Sequence, residues 1–172
     1  MALFIGNIIA LIASIIMVYS GTVKEKKKIL LFQIVEITMY VMSNLILGGI
    51  PGAIMNVFSL IGNILCYFDK LGVKEKLIIS AVSIPITVHF NNLGWVGLFP
   101  LICILTYMWF MNIKDILKFK YLIIFVTILW VIYDFTIKSY TSGIFDILTI
   151  ITNVIAVSQI MIGRKKEKGS QD

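Results

Sequence analysis

Three carboxylates stand inside long apolar runs of the 172-residue chain: Glu36, Asp134 and Asp146. A charge at the bilayer centre costs about 2.5–3.5 kcal/mol on insertion scales, so acids at such positions are candidates for solute or proton chemistry. Asp146 opens a polar series, Asp146-Ile-Leu-Thr149-Ile-Ile-Thr-Asn153, and a matching series, Asn56-Val-Phe-Ser59-Leu-Ile-Gly-Asn63, lies 90 positions earlier. In both, a polar acceptor is followed at +3 by a hydroxyl and at +7 by an asparagine. On a helix these offsets fall at about 0°, 300° and 340°, so each series makes one narrow stripe able to hydrogen-bond a polar solute. Asn56, Ser59, Asn63, Asp146, Thr149 and Asn153 are therefore the expected solute-binding residues. Asp134 has Lys138 one turn later, which predicts an ion pair or charge relay. Glu36 lies within reach of Lys27 or Lys28 and is expected to be structural.

Other chemistry finds no support. There is no HExxH, no GxSxG, no phosphate-cradling glycine loop and no Cys/His pair at ligand spacing, so neither enzyme activity nor a metal or other cofactor is expected. The single histidine, His89, precedes Asn91 and Asn92 without a carboxylate beside it, and reads as an interfacial side chain. Cys66 and Cys103 lie in apolar runs and read as buried packing residues.

These residues need a membrane to make sense. Hydrophobic residues are 59% of the chain, charged residues 14%, and mean hydropathy is +0.99, which excludes an ordinary soluble domain. Apolar stretches run over 3–19, 29–47, 52–68, 77–90, 95–111, 121–137 and 143–162, predicting seven transmembrane helices. The fourth is short and contains Pro85, which suits a kinked or re-entrant helix; Pro100 is a second candidate hinge. The basic residues alternate between connections. Lys24, Lys26, Lys27 and Lys28, then Lys70, Lys74 and Lys76, then Lys114, Lys118 and Lys120, and finally Arg164, Lys165, Lys166 and Lys168 fall on one side. These are fourteen of the fifteen, Lys138 alone falling on the other. The positive-inside rule makes the rich side cytoplasmic, with the N-terminus outside and the C-terminus in the cytoplasm of a bacterial-type inner membrane. The basic clusters suit anionic lipid headgroups rather than nucleic acid. Trp95, Tyr121, Tyr133 and Tyr140 fall near span ends and read as interfacial anchors.

The matched stripes each follow a small-residue turn, Gly48-Gly49-Ile50-Pro51-Gly52 and Ser139 to Gly143. Helix, basic loop, helix, tight outer turn, helix is thus written twice. The expected architecture is all-α: two parallel three-helix bundles, residues 1–68 and 93–163, joined by a loop and linker helix at 69–92 and followed by a basic tail at 164–172.

Lys27-Lys28-Ile-Leu-Leu-Phe-Gln33, Leu47-Gly48-Gly49-Ile50-Pro51-Gly52-Ala53 with Asn56, and later Tyr133-Asp134 with Ser139-Tyr140-Thr141-Ser142-Gly143 resemble the YgjV-type bacterial inner-membrane protein family over nearly the whole chain. An arginine usual in that family near the end of the third helix is replaced here by Gly62-Asn63, so no family role carries over to that position. The family's architecture is similar to that of the SWEET sugar and PnuC vitamin transporters, which implies the same three, one and three arrangement. The expectation for function is a small-solute transporter or facilitator whose two bundles rock around the polar stripes. The alternative is a non-transporting membrane protein, an immunity, regulatory or assembly partner. Expected partners are the lipid bilayer and a small solute, with a homo-oligomer left open.

Overall fold

The computed structural model describes residues 1–20, 26–110 and 115–169. Lys24 and Lys114 lie outside them, and the side chains of Lys26 and of Arg164, Lys165, Lys166 and Lys168 lie outside the described set as well. The described residues form seven α-helices: α1 (Ala2–Ser20), α2 (Lys26–Leu47), α3 (Ile50–Tyr67), α4 (Val73–His89), α5 (Phe99–Phe110), α6 (Ile116–Thr136) and α7 (Tyr140–Gly169). A short 3-10 turn, Val96–Leu98, leads into α5. Four stretches are long and apolar enough to cross a bilayer, Ala2–Tyr19, Leu30–Leu47, Ile50–Tyr67 and Tyr140–Ile162, and Val96–Phe110 is a shorter apolar helix.

Several boundaries differ from the sequence expectation. Helix α4 starts at Val73, before the charged residues Lys74, Glu75 and Lys76, because Gly72 and Glu75 cap its first turn: the Gly72 N–H donates to Glu75 Oε2 at 2.9 Å. Its 17 residues would span about 26 Å at 1.5 Å per residue. Pro100 sits at the second position of α5, where a missing N–H costs nothing, so it starts the helix instead of hinging it. Helix α7 continues through the basic stretch 164–168 to Gly169.

The molecule is apolar outside and buries many polar side chains among apolar ones inside. Leu11, Ile15, Leu45, Val82, Ile132, Leu148 and Ile155 are exposed, whereas Ser14, Ser43, Asn44, Ser83, Thr87, Thr127 and Ser142 are buried. That inversion is what a lipid solvent selects, because lipid tails cost nothing to touch and unpartnered polar groups do. Small residues let the helices approach. Gly6, Ala10, Ala13 and Ser14 are buried on one face of α1, where the Ser43 hydroxyl donates to the Gly6 carbonyl at 2.9 Å and Ser14 hydrogen-bonds Tyr40 Oη at 2.9 Å. A Cβ on Gly6 would come within 2.6 Å of Leu47 Cδ2.

Helix α1 packs on α2, α2 on α3, α3 on α5, α5 on α6, α6 on α7, and α7 back on α1, which closes a ring of six. Helix α4 packs against α3 and α5. It is held by Thr87 Oγ1 donating to Met55 Sδ at 3.1 Å and by Trp109 Nε1 donating to Ser80 Oγ at 3.1 Å.

The turns before α3 and α7 are built alike. Gly48 and Lys138 each carry a positive φ, +79° and +62°. The Gly49 N–H donates to the Asn44 carbonyl at 2.8 Å, and the Ser139 N–H donates to the Asp134 carbonyl at 2.8 Å. Ile50 and Tyr140 then open the next helix, 90 positions apart. Glycine supplies the left-handed residue in the first turn without a Cβ penalty, whereas the second places a lysine there.

Tyr133 is not an interfacial anchor. It is fully buried, and its hydroxyl accepts the Gly52 N–H at 2.8 Å, tying α6 to the first turn of α3. That N–H is one of those a helix start leaves without an internal partner, which is why a buried phenol is drawn to it. Trp95, Tyr121 and Tyr140 are exposed, Trp95 at 85%. Cys66 is half-buried rather than buried, while Cys103 is buried.

Candidate functional site

A cavity of about 450 Å³ lies among α1, α2, α3, α5, α6 and α7. None of the residues of α4 lines it; the wall is formed by the six-helix ring together with Leu71, from the connection between α3 and α4. The volume falls within the range of sites for small organic molecules.

Five of the six expected solute-binding residues reach the cavity: Asn56, Ser59 and Asn63 from α3, Asp146 and Thr149 from α7. They do so because each stripe begins six residues after its helix start, at Ile50 and Tyr140, and the stripe face of each helix is turned toward the ring interior. Asn56 is buried; Ser59, Asn63, Asp146 and Thr149 are partly buried. Thr149 donates back to the Phe145 carbonyl at 3.0 Å, the usual satisfaction of a hydroxyl in a membrane helix, which leaves its oxygen able to accept. Asn153 is placed elsewhere. Its Nδ2 donates to the Thr149 carbonyl at 2.8 Å and its Oδ1 accepts from Lys120 Nζ at 3.1 Å, joining α7 to α6.

The acids are also redistributed. Asp134 is buried and lines the cavity. No ion pair joins it to Lys138, which is exposed and whose backbone carbonyl accepts from Asn7 Nδ2 at 3.0 Å. The left-handed Lys138 residue ends the helical register between the two, so the one-turn spacing of the sequence does not bring their side chains together. Glu36 lines the cavity as well, and its Oε2 is buried without a hydrogen-bond partner. Lys27 turns instead to Asp69, 3.8 Å away, and lies 5.8 Å from the centre of the Tyr67 ring. His89 is exposed and stacks edge-on against Phe90, 4.8 Å between ring centres.

Several wall residues escaped the sequence reading: Tyr40, Asn44 and Gln33 on α2, Thr127 and Trp130 on α6, and Tyr107 on α5. The signal for most of them was the same 90-residue offset carried backwards. Tyr40 and Trp130, Asn44 and Asp134, Asn56 and Asp146, and Ser59 and Thr149 are all cavity-lining pairs at that spacing. In polar content the two sides differ. Where α2 and α3 place amides at 44 and 56, α6 and α7 place carboxyls at 134 and 146, and Glu36 faces in where its counterpart is Val126. Among the described lining residues there is no lysine, arginine or histidine, and no cluster of three or more metal-ligating side chains occurs among the described residues.

An apolar exterior around an internal cavity that carries amide, hydroxyl and carboxyl side chains on a largely apolar wall defines an all-helical membrane protein. The chain belongs to the bacterial inner membrane protein family Imp-YgjV, whose model matches residues 4–162. No curated protein and no solved structure matches it.

Proposed function

We propose that this protein is a small-solute transporter or facilitator of the bacterial inner membrane, with the cavity as its solute site. The observation that carries the reading is the cavity itself, walled by residue pairs at one fixed offset from the helices that frame it. On this reading residues 1–68 and 93–163 are two copies of one three-helix unit joined through α4. Seven crossings put the N-terminus outside, the C-terminus in the cytoplasm and both copies in the same orientation. Parallel repeats with a site at their interface can expose that site to one side and then the other by rocking. The paired turns at Gly48 and Lys138 support the repeat, and the alternating basic residues support the crossings. No covalent chemistry is part of this reading: the chain acts as a carrier and not as an enzyme.

Topology is tested by single cysteines at Asn92 and Lys74 in a Cys66→Ala, Cys103→Ala background, probed in intact cells with a membrane-impermeant thiol reagent. Labelling is expected at 92 and not at 74. Labelling of both from outside would remove the fourth crossing and with it the parallel orientation, and labelling of 74 alone would invert the orientation of the whole chain.

Transport is tested in proteoliposomes with a metabolite panel. Uptake of at least one solute above that of empty liposomes is expected, falling at least tenfold in Asn56→Ala and in Asp146→Asn. Retained fold in these variants, with no solute moved by the wild-type chain, would favour the alternative of a regulatory, immunity or assembly role in which the stripes only join helices.

A further inference from the structure

We propose that the occupant of the cavity is a small organic monocation: a protonated amine, with N–H donors on an apolar or aromatic body and one neutral polar group. This rests on the reading of the cavity as a solute site. Three carboxyl side chains from three different helices, Glu36 on α2, Asp134 on α6 and Asp146 on α7, line one cavity, and no basic side chain among its described lining residues balances them. The second observation is independent of charge. Glu36 is only 8% exposed, and its buried Oε2 has no hydrogen-bond partner. Buried polar atoms are nearly always partnered, and one left without a partner loses its water without recompense, more so when it is charged. A carboxylate oxygen lacking a donor on the wall of a cavity is therefore a half-built hydrogen bond. The missing half is an N–H or O–H on the occupant, and an ammonium supplies donor and counter-charge together.

The rest of the wall narrows the class. Tyr40, Tyr107 and Trp130 present aromatic rings, and Ile37, Ile104 and Met108 present apolar surface. Aromatic faces attract organic cations through the negative face of the ring, and more strongly when the site is desolvated. A hydrated metal ion would use none of that apolar wall, and the carboxyls do not form a metal-ligating cluster among the described residues. The amides Asn44 and Asn56 occupy the places that Asp134 and Asp146 occupy on the other side, so the α2–α3 wall sets neutral hydrogen-bonding groups beside Glu36. A purely structural use of positions 134 and 146 would be met as well by the amides found at 44 and 56, without the cost of an acid at membrane depth.

The experiment uses the full chain in lipid nanodiscs with three isosteric probes: phenethylammonium, phenethyl alcohol and phenylacetate. Binding is read by the fluorescence of Trp130 in a Trp95→Phe, Trp109→Phe background and by thermal stability of the wild-type chain. Phenethylammonium is expected to bind saturably and raise the melting temperature, while the alcohol and the anion bind at least tenfold more weakly. Glu36→Gln and Asp146→Asn should each weaken the amine at least tenfold, and the comparison among the three probes on the wild-type chain holds even if either variant fails to fold. Equal binding of alcohol and amine would overturn the proposal. So would stabilisation by lowered pH alone with no amine effect, since the carboxyls would then simply hold protons. If neutral metabolites bind or move in proteoliposomes while the amine does not, the charge inference fails and the transport reading stands. If no solute of any charge binds or moves, both fail.

Discussion

Gly52→Ala is expected to be among the most damaging single changes in the protein, lowering stability by about 3 kcal/mol. A Cβ at this position would collide with the Tyr133 hydroxyl and lie 2.7 Å from its Cε1 and Cζ. The ring cannot swing aside, because Tyr133 is fully buried and packed edge-on against Trp130 at 5.6 Å between ring centres. Overpacking of this kind costs about 1–3 kcal/mol. The shift also breaks the Gly52 N–H to Tyr133 Oη bond, worth about 1 kcal/mol more. Unfolding in mixed detergent micelles would measure the change. The cause is checked by a double-mutant cycle: Tyr133→Leu makes room for the new methyl, so Gly52→Ala should cost at least 1 kcal/mol less in that background than in the wild type. Additive losses would mean that the glycine is required for some reason other than the phenol above it. Gly49 faces the same hydroxyl, with a Cβ 2.5 Å away, so the pair of glycines forms the floor on which Tyr133 rests.

The second large effect is expected at Asn7, which closes the helix ring between α1 and α7. Its Nδ2 donates to the Leu3 carbonyl at 2.9 Å and to the Lys138 carbonyl at 3.0 Å. Its Oδ1 accepts the Thr141 N–H at 3.1 Å and the Thr141 hydroxyl at 3.3 Å. Thr141 is in the first turn of α7, so the amide caps a helix that belongs to the far end of the sequence. Asn7→Leu removes the whole set and leaves a carbonyl and an N–H without partners, for a loss of about 2–3 kcal/mol after partial compensation by interfacial water. Asn7→Asp keeps the acceptor at a helix N-terminus, where negative charge is favoured, and should recover about half of that loss. Micelle unfolding again provides the measurement. Equal stability of Asn7→Leu and wild type would show that the α1–α7 seam holds by packing alone.

Much of the architecture was legible in residue order. Seven apolar stretches became seven helices, because helix formation in an apolar chain is a local matter of satisfying backbone groups within one segment. Their ends moved where capping intervened. Gly72 with Glu75 extended α4 through a charged turn, Asp115 caps α6 by accepting from the N–H groups of Leu117 and Lys118, and Pro100 opened α5. The stripes that begin at Asn56 and Asp146 come from 3.6-residue periodicity, which is a property of one helix taken alone.

Which neighbour each face meets is not local, and there the tertiary structure decided. Asn153 continues the stripe of Asp146 and Thr149, yet it lies where α6 crosses α7 and meets Lys120 before it can reach the cavity. Tyr133 and Asp134 are adjacent near a helix end and looked interfacial. The closing of α6 over α3 buried both, one against the Gly52 backbone and one in the cavity wall. Lys138 is one turn from Asp134 by count, but the left-handed residue between helices points it away. Glu36 lies nine residues from Lys27, on the opposite face of α2, so Lys27 meets Asp69 beyond the end of α3 and the Glu36 carboxyl faces the interior. Periodicity gives each helix a face, and only the packing of the ring chooses whether that face looks at lipid, at another helix or into the cavity.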